Sequence, residues 1–117
     1  MSTIAVVNNE EATRRFIRET LRKEGYRVRE YADTHSAQEL LDLPADLAIL
    51  DRTNSPLTGP ELFRLIRQRW AMPVVFISGN GSILEKELKK ITHKPQGVLD
   101  LPVMPADIAM CVKRILG

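Results

Sequence analysis

One carboxylate is set apart by its surroundings. Leu47-Ala48-Ile49-Leu50 is an unbroken apolar run that ends in Asp51. Arg52-Thr53-Asn54-Ser55-Pro56-Leu57-Thr58-Gly59 follows, polar and rich in turn formers. Four apolar residues without alternation fit a strand buried on both faces, as in a parallel sheet covered by helices. Asp51 then stands at the carboxyl end of a central strand, the rim where open parallel sheets bind their ligands. Whether it does chemistry there or serves as a hydrogen-bonded structural acid depends on its partners.

The candidate partners lie at the ends of other apolar runs. Thr3-Ile-Ala-Val-Val7 is followed by Asn8-Asn9-Glu10-Glu11. Val74-Val-Phe-Ile77 is followed by Ser78-Gly79-Asn80-Gly81, which also reads as a plain turn. Amides at Asn8 and Asn9 can hold Asp51 by hydrogen bonds or bind a ligand. Arg52, or Arg14-Arg15 at the start of a helix, could supply a cation. The competing reading makes these surface arginines, whose exposed ion pairs are weak.

The intervening segments supply what would position these residues. Ala12, Phe16, Ile17 and Leu21 recur at helical spacing and Gly25 closes that helix. Arg27-Val-Arg-Glu-Tyr31 alternates in part, as an edge strand does. Ser36 to Leu43 reads as a brief helix closed by Pro44. Pro60 to Trp70 carries Leu62, Phe63, Leu65 and Ile66 at helix spacing behind a Gly59-Pro60 start. Ser82 with Glu85 forms a capping-box pair opening a helix to about Thr92. Gly97 to Leu101 is the fifth strand, broken by Pro102, and Pro105 to Leu116 is the last helix. Five alternations of strand and helix predict a three-layer α/β domain over residues 1–117 with a parallel sheet and right-handed crossovers. The order 2-1-3-4-5 would bring the ends of strands one and three together.

Composition narrows the function. The chain has 117 residues, 44% hydrophobic and 27% charged, which suits one globular domain. A net charge of +2 is too near neutral to imply a nucleic-acid or membrane partner. Cys111, the only cysteine, excludes an internal disulfide and a thiolate cluster. It lies in an apolar-patterned helix and is expected to be buried and inert. Trp70 ends its helix and is expected to cap the core, and His35 and His93 have no metal-site spacing. No signal segment or bilayer-length apolar run is present, so a cytoplasmic protein is expected.

In combination these features resemble a response-regulator receiver domain from Thr3 to Leu116. The supporting residues are Asn8-Asn9 after strand one with Arg14-Arg15 six residues on, Asp51 with Gly59 eight residues later and Glu61-Leu62 behind it, Ser78 after strand four, and Pro102 after strand five. The resemblance implies a flavodoxin-like doubly wound fold in the order 2-1-3-4-5. It implies that Asp51 occupies the position that accepts a phosphoryl group from a histidine kinase. In the family, two acids after strand one bind Mg²⁺, a lysine before the Pro contacts the phosphoryl oxygen, and a hydroxyl residue and a strand-five aromatic rearrange on activation.

This chain departs from that pattern. Asn8 and Asn9 stand at the acidic-pair positions, Leu101 at the lysine position and Val98 at the aromatic switch position; Val103 replaces the Phe after the Pro. Asp51 and Ser78 are retained. Mg²⁺ prefers hard oxygen ligands that include one or two carboxylates, and only Asp51 and the neighbouring Glu10 supply any. Phosphoryl transfer depends on cations to neutralise the transferred group, and losing one such donor costs about 10²–10³ in rate. Removing two acids also relieves repulsion on Asp51. The expectation is a pseudo-receiver that is not an enzyme, needs no cofactor, binds Mg²⁺ weakly or not at all, and works by protein–protein contact. The alternative is a receiver still phosphorylated weakly on Asp51.

Readings from other classes fare less well. An aspartyl-phosphate phosphatase needs a second acid two residues beyond Asp51, where Thr53 stands. A flavodoxin-like cofactor binder needs a phosphate-holding loop after strand one, and Asn8-Asn9-Glu10-Glu11 is acidic and lacks glycine. Nucleic-acid binding lacks a basic stripe with interleaved aromatics. Arg14 to Arg29 holds seven Lys or Arg residues mixed with Glu19 and Glu24, as a solvated face does. Lys89-Lys90 and His93-Lys94 cluster near the end of the helix that opens at Ser82. By the resemblance, that helix, the fifth strand and the last helix form the surface for a signalling partner, with a homodimer left open.

Overall fold

The computed structural model describes every residue except Thr92. Five strands, β1 (Thr3–Val7), β2 (Arg27–Tyr31), β3 (Leu47–Asp51), β4 (Val74–Ser78) and β5 (Gly97–Asp100), form one parallel sheet in the order β2-β1-β3-β4-β5. Helices α1 (Glu11–Lys23) and α4 (Pro105–Leu116) cover one face. A 3₁₀ helix (Ser36–Leu41), α2 (Gly59–Arg69) and α3 (Gly81–Leu88) cover the other. The fold and strand order are those the sequence predicts.

Alternation within each apolar run splits the core in two. Ile4, Val6, Leu47, Ile49, Val75 and Ile77 pack under α1 and α4 against Ile17, Leu21, Ile108 and Val112. Ala5, Val7, Ala48, Leu50, Val74 and Phe76 pack under α2 against Leu62, Phe63 and Ile66. Phe63 meets Phe76 edge-on, 5.6 Å between ring centroids, the favoured aromatic geometry. Because β1, β3 and β4 are buried on both faces, they read as continuous apolar runs. β5 is covered only on the α4 side: Gly97 and Leu99 are half-buried, Val98 and Asp100 exposed.

The helix ends follow local chemistry. α1 stops at a Schellman motif: Gly25, at φ +91°, donates to Arg22 O, and Tyr26 donates to Leu21 O. Thr58 and Glu61 form the capping box that opens α2. α3 opens at Asn80, whose side-chain oxygen accepts from Ile83 N at 3.2 Å, so the capping box expected at Ser82 and Glu85 is not the one used. An Asn two residues upstream of Ser82 reaches the free N–H groups first. α3 ends at Leu88; the expected end at Thr92 lies outside the described residues. The segment after β2 is a 3₁₀ helix ending at Leu41 rather than a helix to Leu43. Ser36 N–H and its hydroxyl donate to Asp33 there, holding that carboxyl below its usual range. β5 stops at Asp100, one residue short of expectation, ahead of Pro102, which has no N–H to continue a ladder. Trp70 does not cap the core. It is 37% exposed and its indole N–H donates to Leu41 O at 3.0 Å. Cys111 is buried, as expected.

Gly59 starts α2 hard against β3. A Cβ there would fall well inside contact distance of the Asp51 carbonyl oxygen and 3.0 Å from the Phe76 ring. Neither backbone nor packed ring can yield cheaply. Gly59→Ala is therefore expected to lower the unfolding free energy in urea by about 3 kcal/mol. Gly79→Ala, with nothing within 4 Å of its added methyl, should change it by less than about 0.5 kcal/mol.

Candidate functional site

β1 and β3 pair in register from Ile4–Leu47 to Val7–Leu50, so Asn8 and Asp51 leave the sheet side by side. Asn8 is 2% exposed. Its side-chain oxygen accepts from Glu10 N at 2.9 Å, which fixes the amide orientation, since only oxygen can accept there. The NH₂ is thereby aimed at Asp51 and donates to Oδ2 at 3.2 Å. The other carboxylate oxygen, Oδ1, accepts from Thr53 N at 3.1 Å and from Thr53 Oγ1 at 3.2 Å. Neutral donors thus occupy both oxygens of Asp51.

Asn9 does not join them. Its amide donates to Ala32 O and its oxygen accepts from Ser55 N, each at 2.9 Å, bridging the loops after β1, β2 and β3. The expected hydrogen bonding of Asp51 by the Asn pair holds for Asn8 alone. The expected arginines point elsewhere. Arg14 donates to Asn8 O at 2.9 Å and lies 3.5 Å from Glu30. Arg15 pairs with Glu11, and Arg52 with Glu87 on α3 at 3.0 Å. The surface-arginine reading stands for Arg15. Arg14 and Arg52 are partly buried structural pairs.

Ser78 is 1% exposed and its Oγ accepts from Asn80 N at 3.0 Å, the turn geometry weighed for it. Leu101 N donates to Ser78 O at 2.9 Å, placing Leu101 at this rim with its side chain 40% exposed. Val98 is 44% exposed on the uncovered side of β5. The structure therefore gathers Asn8, Asp51 and Thr53 into one cluster, with Ser78 and Leu101 on the neighbouring strand ends and Asn9 turned away.

Two buried residues that sequence reasoning passed over hold this rim together. Asn54, 3% exposed, donates from Nδ2 to Val7 O at 3.1 Å and to Asp51 O at 2.8 Å, tying the ends of β1 and β3. Thr34 is fully buried: its hydroxyl donates to Leu57 O and accepts from Leu57 N, and its N–H donates to Ser55 O. In the sequence both sit in polar loops where nothing separates a buried amide or hydroxyl from an exposed one.

Mg²⁺ takes oxygen ligands in near-octahedral geometry; of the oxygens available here, that of Asn8 accepts from Glu10 N, that of Asn9 accepts from Ser55 N, and Glu10 Oε1 accepts from the Thr13 hydroxyl. Among the described residues no three His, Cys, Asp or Glu side chains are grouped to hold a metal ion.

Removing Asn54 would take its donor from the Val7 and Asp51 carbonyls, the first buried and the second partly so. Asn54→Ala is expected to lose about 2–3 kcal/mol of stability, measured by urea denaturation. Asn9→Ala, at an exposed bridge, should lose only about 1 kcal/mol and speed amide exchange at Ser55 while leaving Phe76 protected.

Comparison with known proteins agrees with the strand order. A family model described as response regulator receiver domain matches residues 4–112. Response regulator ArlR of Staphylococcus epidermidis is 31% identical over 116 residues, 98% of this chain and 51% of that protein. The chain spans about half the length of the curated relatives it matches. Among solved structures, the receiver domain of NtrX from Brucella abortus is 27% identical with a TM-score of 0.84, covering 97% of each chain. Chemotaxis protein CheY4 of Vibrio cholerae, 22% identical, shares the fold with a TM-score of 0.86 over 98% of each chain. With its sheet order, its strand-end aspartate and this match over nearly its whole length, the chain belongs to the response regulator receiver domain family of two-component signalling.

Proposed function

We propose that this chain is a pseudo-receiver: a receiver domain that transmits a signal by protein contact, without the Mg²⁺-dependent aspartyl phosphorylation relay. The observation that carries this reading is the state of Asp51. Its two oxygens are held by Asn8 and Thr53, neutral donors where phosphoryl transfer calls for cations. The cations that phosphoryl transfer needs have no residues to supply them. Arg52 is committed to Glu87, and Leu101 stands at the lysine position. Each missing electrostatic donor is worth about 10²–10³ in rate, so the losses compound. Weak or negligible Mg²⁺ affinity belongs to the same reading, as does the absence of catalytic activity.

The partner-binding surface in this proposal is α3, β5 and α4. Ile83, Val98, Leu101, Met104 and Met110 are large apolar side chains between 40% and 70% exposed there. Between α3 and β5 lies a groove of about 890 Å³ lined by Leu84, Leu88, Ile91 and Val98 among others. We place this encounter in the cytoplasm; among the described residues no helix is long and apolar enough to cross a membrane. The partner is a signalling protein, not nucleic acid.

The decisive measurement is intact mass after incubation with a small phosphodonor and Mg²⁺. The expected spectrum contains the unmodified chain only. A stoichiometric species heavier by one phosphoryl group, absent in Asp51→Ala, would instead establish a working acceptor. Val98→Asp, on the exposed side of β5, is expected to abolish co-purification with the partner while changing stability by less than about 0.5 kcal/mol.

A further inference from the structure

A second site lies at the opposite end of the sheet, under the C-terminus of α2. A depression of about 470 Å³ is lined by Arg67, Arg69, Trp70, His93, Lys94 and Gln96, with Gln68 and Ala71 at its edge. It is an open surface depression, not an enclosed pocket. Three permanent cations line it and no carboxylate does.

Arg67 is the centre of the argument. Its guanidinium donates to Trp70 O at 3.0 Å and Met72 O at 2.7 Å, approaches Gln96 Oε1 at 3.4 Å, and lies 4.9 Å from the centroid of the Phe63 ring. Every one of those partners is neutral. Burial accordingly pulls its pKa below the ordinary guanidinium range. These bonds engage the guanidinium but leave its charge without a counter-ion, so an anion reaching its remaining N–H groups would gain charge-assisted hydrogen bonds. The carbonyl bonds hold the fork in place and leave N–H donors over. Lys94 likewise has no carboxylate within ion-pair distance among the described residues; Arg69 lies 3.4 Å from the exposed Asp42.

The terms of opposite sign are smaller. The C-terminus of α2 contributes about half a negative charge, and Asp42 one more beside Arg69. Three positive charges outweigh both. The excess is then about one and a half positive charges, which either a carboxylate or a phosphate dianion offsets, but the three acceptor oxygens of a phosphomonoester can engage three cations where a carboxylate has only two.

We propose that this depression binds the phosphate group of a small phosphomonoester, with Arg67, Arg69 and Lys94 as its charge partners and the Trp70 indole beside it. This stands independently of the pseudo-receiver reading, since the site is remote from Asp51.

Trp70 is the only tryptophan, so its fluorescence reports directly on the site. Titrating the chain with inorganic phosphate and with a nucleoside monophosphate should give a saturable change. Chloride at matched ionic strength, and the nucleoside without phosphate, should give none. Lys94→Glu, at an exposed position, should weaken phosphate binding about tenfold or more, and Arg67→Met should do the same if it folds by circular dichroism. Asp51→Asn should bind as the parent chain does. The proposal is overturned by a response that does not saturate, by one that chloride or the bare nucleoside reproduces, by one that survives Lys94→Glu, or by one that Asp51→Asn abolishes.

Discussion

A carboxylate at the rim of a parallel sheet must be compensated by something, and here neutral hydrogen bonds do it. Asn8 Nδ2, Thr53 N and Thr53 Oγ1 together satisfy Asp51. The consequence spreads outward. Because Asn8 directs an N–H at Asp51, a hydrogen bond joins the ends of β1 and β3. Because Asn54 grips Val7 O and Asp51 O, the β3–α2 loop is held against β1. Because Gly59 abuts the Asp51 carbonyl, the start of α2 is fixed to the same point. The rim is one connected hydrogen-bonded unit rather than a set of groups waiting for a ligand.

Asn9 shows how the loss of an acid can be constructive. An amide both donates and accepts, and Asn9 uses both capacities, to Ala32 O and from Ser55 N. A carboxylate could only accept. The same position that would weaken metal binding therefore strengthens the junction of three loops. Thr34 adds to that junction through both roles of its hydroxyl. Together these bonds favour a single loop arrangement, which suits a domain that presents a constant surface to a partner.

The two ends of the sheet differ in electrostatic character. The carboxyl end is amide-rich, with its arginines committed: Arg14 and Arg18 to Glu30, Arg52 to Glu87. The amino end beneath α2 gathers Arg67, Arg69 and Lys94 around an indole. Helix dipoles explain part of this, since cations are favoured in the last turn of α2. They do not explain a partly buried guanidinium whose hydrogen-bond partners are all neutral. The uncovered side of β5 is a third feature, apolar instead of charged, and it arises because α3 is short and leaves Val98 in the open.

The amino-acid order determined the elements and their sequence along the chain. Continuous apolar runs announced doubly buried strands, helical spacing announced the covering layers, and Gly25 and Gly59-Pro60 marked helix ends, because these depend on local periodicity and backbone sterics. It also determined which family positions carry Asn, Leu and Val in place of Asp, Lys and an aromatic. Tertiary structure alone decided which of two adjacent asparagines meets Asp51, since that depends on the β1–β3 register and on Glu10 N–H. It alone decided that Asn54 and Thr34 are buried while their neighbours are not, that Asn80 and not Ser82 caps α3, and that Trp70 reaches Leu41 across the helical layer. Asn54 reaches Val7 across 47 positions, Trp70 reaches Leu41 across 29 and Thr34 reaches Leu57 across 23, and no local pattern encodes a distance of that kind.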